Sequence, residues 1–131
     1  MSRTRVLLAD DHQAVLDRVC GLLGDGFEVI GAVNNGRDAV VEAERLDPDV
    51  LVIDISMPIL NGLQAAGRLR AAHSRTKVIF LTVHTDHDFV AAALSAGASG
   101  YVAKADIATD LVPAIREAVA GRLFVSKSMR A

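Results

Sequence analysis

Five short runs of apolar or β-branched residues recur along the chain, and segments with helical spacing separate them. The runs are residues 5–10, 27–33, 49–54, 77–83 and 100–104. The first, third and fourth runs are almost continuously apolar, which is typical of parallel strands covered on both faces. We therefore predict five strands, with at least three of them buried inside one sheet.

The segments that follow each run carry apolar residues at intervals of three and four, which places these residues on one face of a helix. In the first segment this face is formed by Val15, Val19, Leu22 and Leu23, and the four later segments show the same spacing. Pro113 lies early in the last helical segment, so we expect that helix to start near Thr109 or Asp110.

Strict alternation of strand and helix, repeated five times, predicts a doubly wound α/β sheet with right-handed crossovers. The expected fold is flavodoxin-like (βα)5, with five parallel strands in the order 2-1-3-4-5. The sequence shows no second composition regime, so we expect one domain over residues 1–122. Residues 123–131 are expected to form a C-terminal tail or the start of a linker.

Composition and net charge limit the classes of protein to which this chain can belong. Hydrophobic residues make up 51% of the 131 residues, charged residues 23%, and the net charge is −2. Bulk electrostatics therefore gives no reason to expect direct binding to nucleic acid or to an anionic membrane. No apolar run reaches the ~18 residues of a membrane span, and we expect a cytoplasmic protein. The single cysteine, Cys20, is expected to be a buried, unreactive thiol.

Polar residues stand where four of the predicted strands end. Asp10 and Asp11 follow the first run, Asp54 ends the third, Thr82 lies at the end of the fourth, and Lys104 ends the fifth. In an open α/β sheet, sites form outside the carboxyl ends of the strands, where the strand order reverses. With the order 2-1-3-4-5 that point lies between the first and third strands, so we expect these residues to converge.

Three clustered carboxylates need compensation, because two like charges about 4 Å apart repel by about 4 kcal/mol at an effective dielectric near 20. Lys104 supplies one positive charge, and a divalent cation matches the two negative charges that remain. All-oxygen ligands at a half-open surface suit Mg²⁺. A carboxylate at Asp54, beside Mg²⁺ and a lysine, can attack a phosphoryl group, and Thr82 can donate its hydroxyl to a phosphoryl oxygen.

These residues, in this order, resemble the receiver domain of two-component response regulators over about residues 5 to 122. LLADDH is similar to the family's acidic pair, and VLVIDISMPILNG to its phosphoacceptor segment. FLTVH resembles the switch-threonine segment, and GASGYVAK the segment that holds the switch aromatic and the lysine. His12 after the acidic pair, and Ala105 in place of a proline after Lys104, resemble the NarL/FixJ-type subfamily.

The resemblance implies a metal site and a phosphoacceptor. Asp54 would accept the phosphoryl group. Asp11 and Asp54 would bind Mg²⁺ directly, and Asp10 would bind it largely through water. The backbone carbonyl of Ser56 would complete the protein ligands.

The resemblance also implies a switch. Lys104 and Thr82 would bind the phosphoryl group, and Thr82 together with Tyr101 would couple phosphorylation to the face made by the fourth helix and fifth strand. Ser56 and His84 occupy the two positions beside the phosphate that tune its hydrolysis.

The partners that the resemblance implies are a sensor histidine kinase, whose phosphohistidine is the phosphoryl donor, and a second copy in a phosphorylation-dependent homodimer. DNA would be bound only through a C-terminal helix-turn-helix domain beyond Ala131, and no membrane would be bound. We expect a receiver from a transcription regulator, with a stand-alone receiver as the alternative.

Other interpretations remain open. A haloacid-dehalogenase-like phosphatase also uses a strand-end aspartate, a threonine, a lysine and Mg²⁺, but its general acid would stand at Ser56. A pseudo-receiver would keep the fold without being phosphorylated. Taken alone, Asp11 is more typical of a helix N-cap, and within HTDHD (84–88) Asp86 is a better helix cap than a zinc ligand.

Overall fold

Residues 3–83 and 86–129 are described by a computed structural model, and strands alternate with helices along them. The strands are β1 (Thr4–Ala9), β2 (Phe27–Val33), β3 (Val50–Asp54), β4 (Lys77–Thr82), β5 (Gly100–Ala103) and β6 (Phe124–Val125). The helices are α1 (Gln13–Leu23), α2 (Gly36–Leu46), α3 (Gly62–Ala71), α4 (His87–Ser95) and α5 (Ile107–Val119). Within these described ranges, no helix combines the length and the hydropathy that crossing a bilayer requires.

The sheet is parallel throughout and has the strand order β2-β1-β3-β4-β5-β6. The predicted order of the first five strands is confirmed. The prediction of a five-stranded sheet was wrong, because part of the expected tail adds a sixth strand at the edge of β5. The amide of Phe124 donates to the Ser99 carbonyl over 3.2 Å, and the amide of Ser126 donates to the Tyr101 carbonyl over 2.9 Å.

The central strands are buried on both faces, as their continuous apolar runs predicted. Alternate residues of β1, β3, β4 and β5 point to opposite sides of the sheet, so two hydrophobic layers form. On one side, Leu7, Ile53 and Phe80 belong to a cluster that includes residues of α2, α3 and α4. On the other side, Leu8 and Val52 pack with residues of α1 and α5.

Two predictions about the helices were wrong. Helix α5 begins at Ile107 rather than near Thr109 or Asp110, and Pro113 lies inside it. A proline there lacks one backbone donor, and the burial of the apolar face of α5 outweighs that loss. Cys20 is exposed rather than buried, because its neighbour Val19 takes the position of α1 that faces the sheet.

The chain after β3 passes very close to the start of α3, which fixes the loop that follows Asp54. The amide of Gly62 donates to the Ile55 carbonyl over 2.8 Å. A Cβ at Gly62 would lie 2.4 Å from the Asp54 carbonyl oxygen, so a side chain has no room there. Asn61 caps α3 through a reciprocal pair of hydrogen bonds with Gln64.

Candidate functional site

The carboxyl ends of the central strands bring together side chains that are far apart in the sequence. Asp10 follows β1, Asp54 is the last residue of β3, and Lys104 follows β5. The Lys104 ammonium lies 3.0 Å from Asp10 Oδ2 and 3.1 Å from Asp54 Oδ2. The expected convergence of these three residues is therefore observed.

Lys104 is held between two buried carboxylates. Its ammonium donates a hydrogen bond to Asp54 Oδ2, whereas its contact with Asp10 Oδ2 is an ion pair without hydrogen-bond geometry. Burial acts to lower the pKa of Lys104, but the two carboxylates outweigh burial and raise that pKa above its usual value. The lysine is thus a fixed positive charge at neutral pH.

Asp54 is almost completely buried, with 4% of its surface exposed. The backbone amide of Ser56 donates to Oδ1 over 3.0 Å, and Lys104 donates to Oδ2. Burial nevertheless raises the pKa of Asp54, and the nearby Asp10 adds to the rise, against the lowering effect of the Ser56 amide and Lys104. One lysine therefore compensates the buried carboxylates only in part.

His12 lies between the two carboxylates of the acidic pair. Its Nδ1 is 3.1 Å from Asp10 Oδ1 and 3.1 Å from Asp11 Oδ1, and its backbone amide donates to Asp10 Oδ1 over 2.9 Å. Sequence reasoning missed this histidine as part of the site; its position directly after the pair was the available sign. The N-cap interpretation of Asp11 was wrong, because the N-cap residue of α1 is His12, which makes no side-chain cap.

The donor set at this edge fits a divalent cation. One ligand atom from each of Asp10, Asp11, His12 and Asp54 can be chosen so that all four lie within 4.8 Å of one another. Asp10 Oδ2 is buried, and its contact among the described residues is the ion pair with the Lys104 ammonium at 3.0 Å. Carboxylate oxygens are the ligands that Mg²⁺ and similar hard cations prefer.

Thr82 and Tyr101 form a second buried pair beside this site. Both are almost fully buried, and a hydrogen bond joins their side chains. Burial raises the pKa of the Tyr101 phenol, while this hydrogen bond acts in the opposite direction. The Tyr101 ring packs edge-on against Phe80, with 6.4 Å between ring centroids. Tyr101 is thus part of the core.

Ser56 and His84 are the two remaining predicted positions, beside the proposed phosphate site. Ser56 is exposed next to Asp54. His84 lies outside the described residues. Asp86 accepts a hydrogen bond from the Phe89 amide over 3.1 Å, which confirms it as the N-cap of α4.

Ser126 is a second residue that sequence reasoning missed. It is fully buried, and its hydroxyl contacts the strand that ends beside Lys104. A lone serine beyond the last helical pattern carries no periodicity, so nothing in the sequence marked it.

Comparison with known proteins gives a consistent match. The family model of the response regulator receiver domain matches residues 6–116. Response regulator GacA of Pseudomonas viridiflava is 36% identical over 124 residues, which cover 93% of this chain and 58% of that protein. The chain thus spans 58% of the length of this curated relative.

Solved structures of similar fold include the isolated REC domain of RcsB from Salmonella enterica serovar Typhimurium in the presence of phosphomimetic BeF3-. Its TM-score is 0.88 at 26% identity, with 98% of this chain and 96% of that chain covered. A DNA-binding response regulator of the LuxR family from Staphylococcus aureus has a TM-score of 0.83 at 28% identity, with 88% of this chain and 98% of that chain covered.

Proposed function

The chain belongs to the response regulator receiver domain family, and from that premise we propose that it is a phosphorylation-dependent signalling switch whose phosphoacceptor is Asp54. The observation that carries this proposal is the position of the Lys104 ammonium, 3.0 Å from Asp10 and 3.1 Å from Asp54. A nucleophilic carboxylate, an acidic pair and a lysine meet at the switch point of the sheet, where ligands bind in this class of fold. Receiver domains act as signalling proteins, so we expect one phosphoryl group per chain rather than catalytic turnover.

We propose Mg²⁺ as the cofactor. Asp11 and Asp54 would bind it directly, Asp10 through water, and the backbone carbonyl of Ser56 would add one more oxygen. The clustered carboxylate oxygens of Asp10, Asp11 and Asp54 support this assignment. When bound, Mg²⁺ supplies positive charge against the oxygens of the transferred phosphoryl group.

The proposed reaction moves a phosphoryl group from the phosphohistidine of a sensor histidine kinase. A carboxylate oxygen of Asp54 attacks the phosphorus, an O–P bond forms, and the N–P bond of the donor breaks. The donor imidazole leaves with the electron pair of that bond and takes up a proton from solvent. Lys104 donates to a phosphoryl oxygen, because its ammonium is already fixed within hydrogen-bond distance of Asp54.

The switch would act through Thr82 and Tyr101. The Thr82 hydroxyl is the proposed donor to a phosphoryl oxygen, and the same side chain is bonded to Tyr101 in this structure. If the Thr82 hydroxyl turns to a phosphoryl oxygen, the buried Tyr101 phenol loses this hydrogen bond. That loss would alter the face formed by α4 and β5. Ser56 and His84 are the proposed determinants of how long the phosphoryl group persists.

The proposed output is transcription regulation through a C-terminal helix-turn-helix domain outside this sequence, with phosphorylation favouring a homodimer. The longer relative and the LuxR-family structural neighbour support this proposal. The stand-alone receiver is the alternative, and the native reading frame after Ala131 distinguishes the two.

Treatment with acetyl phosphate, followed by intact-mass measurement and peptide mapping, tests the proposal. We expect one phosphoryl group on Asp54 in the presence of Mg²⁺, and none after EDTA treatment or in Asp54→Asn. The exposed Asp17→Asn variant is the matched control and should be modified like the wild type. Modification at another residue, or modification that persists without Mg²⁺, would refute the assignment. Repeated release of phosphate from small esters would favour a phosphatase instead.

A further inference from the structure

Strand β6 and the residue after it, Ser126, are hydrogen-bonded to the chain between Ser99 and Ala103, which directly precedes Lys104. Strand β6 pairs with Gly100 and Tyr101, and the Ser126 amide donates to the Tyr101 carbonyl over 2.9 Å. Strand β6 ends at Val125, and the Ser126 amide makes the next backbone hydrogen bond to β5. The next amide of this part of the chain is bound by a side chain instead of the backbone: the Ala103 amide donates to Ser126 Oγ over 3.1 Å.

The Ser126 hydroxyl is itself fixed by a carboxylate on α5. It donates to Asp110 Oδ2 over 2.7 Å, a normal distance for a charge-assisted hydroxyl–carboxylate hydrogen bond. A serine hydroxyl has one proton to donate and lone pairs to accept with, and this residue uses both functions. Ser126 is fully buried and its bond with the Ala103 amide is buried, whereas Asp110 is half-buried.

The hydrogen bond from the Ala103 amide to Ser126 lies directly before Lys104 in the chain. Strand β5 ends at Ala103, and Lys104 begins a 3₁₀ turn through Asp106. The bond from the Ala103 amide therefore holds the backbone directly before the residue whose ammonium contacts Asp10 and Asp54. A shift of that backbone would displace the Lys104 ammonium from its partners.

We propose that Ser126, held by Asp110, is a positioning residue for Lys104 in phosphoryl transfer to Asp54; this inference rests on the proposed function. It makes the segment after α5 part of the switch. It also implies that a structural change at Lys104 is transmitted to the chain beyond residue 126. Conversely, a displacement of that chain would shift Lys104.

Ser128 offers a matched control. Its hydroxyl donates to Asp106 Oδ2 over 2.9 Å, so it also ties the C-terminal segment to the start of α5. Ser128 is exposed, and its bond does not touch the backbone of β5. If Ser126 only attached the C-terminal segment to α5, removing either serine hydroxyl would change the phosphorylation rate to a similar extent.

The experiment measures phosphorylation by acetyl phosphate at saturating Mg²⁺ in wild type, Ser126→Ala, Ser126→Thr and Ser128→Ala. Hydrogen exchange of the Ala103 amide is followed by NMR in the same samples. For Ser126→Ala we expect a maximal rate about threefold to tenfold lower, with an unchanged apparent KM for acetyl phosphate and faster exchange at Ala103. Ser126→Thr, which keeps the hydroxyl, should restore most of the rate, and Ser128→Ala should match the wild type.

A wild-type rate in Ser126→Ala, equal slowing in Ser126→Ala and Ser128→Ala, or no rescue by threonine would overturn the inference while leaving the proposed function intact. A wild type that is not phosphorylated would instead refute the proposed function, whatever the exchange data show. If Ser126→Ala does not fold, Asp110→Ala carries the same test, because it removes the acceptor of the Ser126 hydroxyl. Slowing is then expected, and a wild-type rate would overturn the inference.

Discussion

Lys104 donates to Asp54 over 3.1 Å, although 50 positions separate the two residues in the chain. The same ammonium lies 3.0 Å from Asp10, so one lysine is the counter-ion of two carboxylates from different strands. A phosphoryl group on Asp54 would bring further negative charge to the same place. The Lys104 ammonium is therefore expected to stabilise the negative charge at Asp54 both before and after phosphorylation.

Replacing Lys104 with alanine should slow phosphorylation by acetyl phosphate roughly tenfold or more, because a preorganised charge on the phosphoryl oxygens is lost. Stopped reactions analysed by intact mass, with Mg²⁺ at saturation, measure this rate. Lys77→Ala is the control, since Lys77 is an exposed lysine at the opposite end of β4. Equal rates in the wild type and Lys104→Ala would contradict the proposed role.

Replacing Asp54 with asparagine should stabilise the protein at neutral pH when Mg²⁺ is absent. Burial raises the pKa of Asp54 in the folded protein. Below the unfolded-state pKa of about 3.9, both states are protonated and the variant gains nothing. As the pH rises through the raised folded-state pKa, the folded wild type must carry a buried charge, and it loses stability relative to the variant.

Urea unfolding followed by circular dichroism between about pH 3 and pH 7 checks this dependence. With EDTA present, the advantage of Asp54→Asn should grow with pH, and added Mg²⁺ should reduce it by stabilising the wild type. Asp25→Asn, at an exposed turn, should stay within about 0.5 kcal/mol of the wild type. A variant that is less stable than the wild type at pH 7 in EDTA would show that pairing with Lys104 outweighs burial.

Replacing Thr82 with valine should separate phosphorylation from the structural response. The variant keeps the size of the side chain but removes the hydroxyl that is bonded to Tyr101. We expect a loss of about 1 kcal/mol in stability, because a buried phenol loses its partner. The amide shifts of β5 on adding beryllofluoride and Mg²⁺ should become smaller. Thr82→Ser keeps the hydroxyl and should respond like the wild type; a full response in the valine variant would exclude Thr82 as the coupling residue.

The strand order could be predicted from the general rule for doubly wound sheets, and the convergence at the strand ends follows from burial and parallel pairing. A strand covered on both faces must be apolar along its length, so Asp54 and Lys104 stand out where the apolar runs end. Parallel strands then bring their carboxyl ends to one edge, whatever the loops contain. The two core layers follow from the same alternation.

The parts that could not be predicted depend on short-range geometry. Strand β6 is two residues long, which is too short for a period of two to show. The bridge that His12 makes between Asp10 and Asp11 depends on a side-chain rotamer. Cys20 and Val19 are neighbours in one apolar pattern, and only the rotation of α1 decides which of them faces the sheet.

Close backbone contact between α2 and the loop after β3 leads to the last prediction. A Cβ at Gly36 would lie 1.8 Å from the carbonyl oxygen of Leu60, a backbone atom that cannot move aside without shifting the loop. Gly36→Ala should therefore destabilise the protein by roughly 2 kcal/mol or more in urea unfolding. Gly67, on the exposed side of α3, has no atom within 4 Å of such a Cβ, so Gly67→Ala should instead stabilise by about 0.5–1 kcal/mol. Because the loop carries Ser56 next to Asp54, Gly36→Ala should also slow phosphorylation, whereas unchanged stability in this variant would show that the contact relaxes easily.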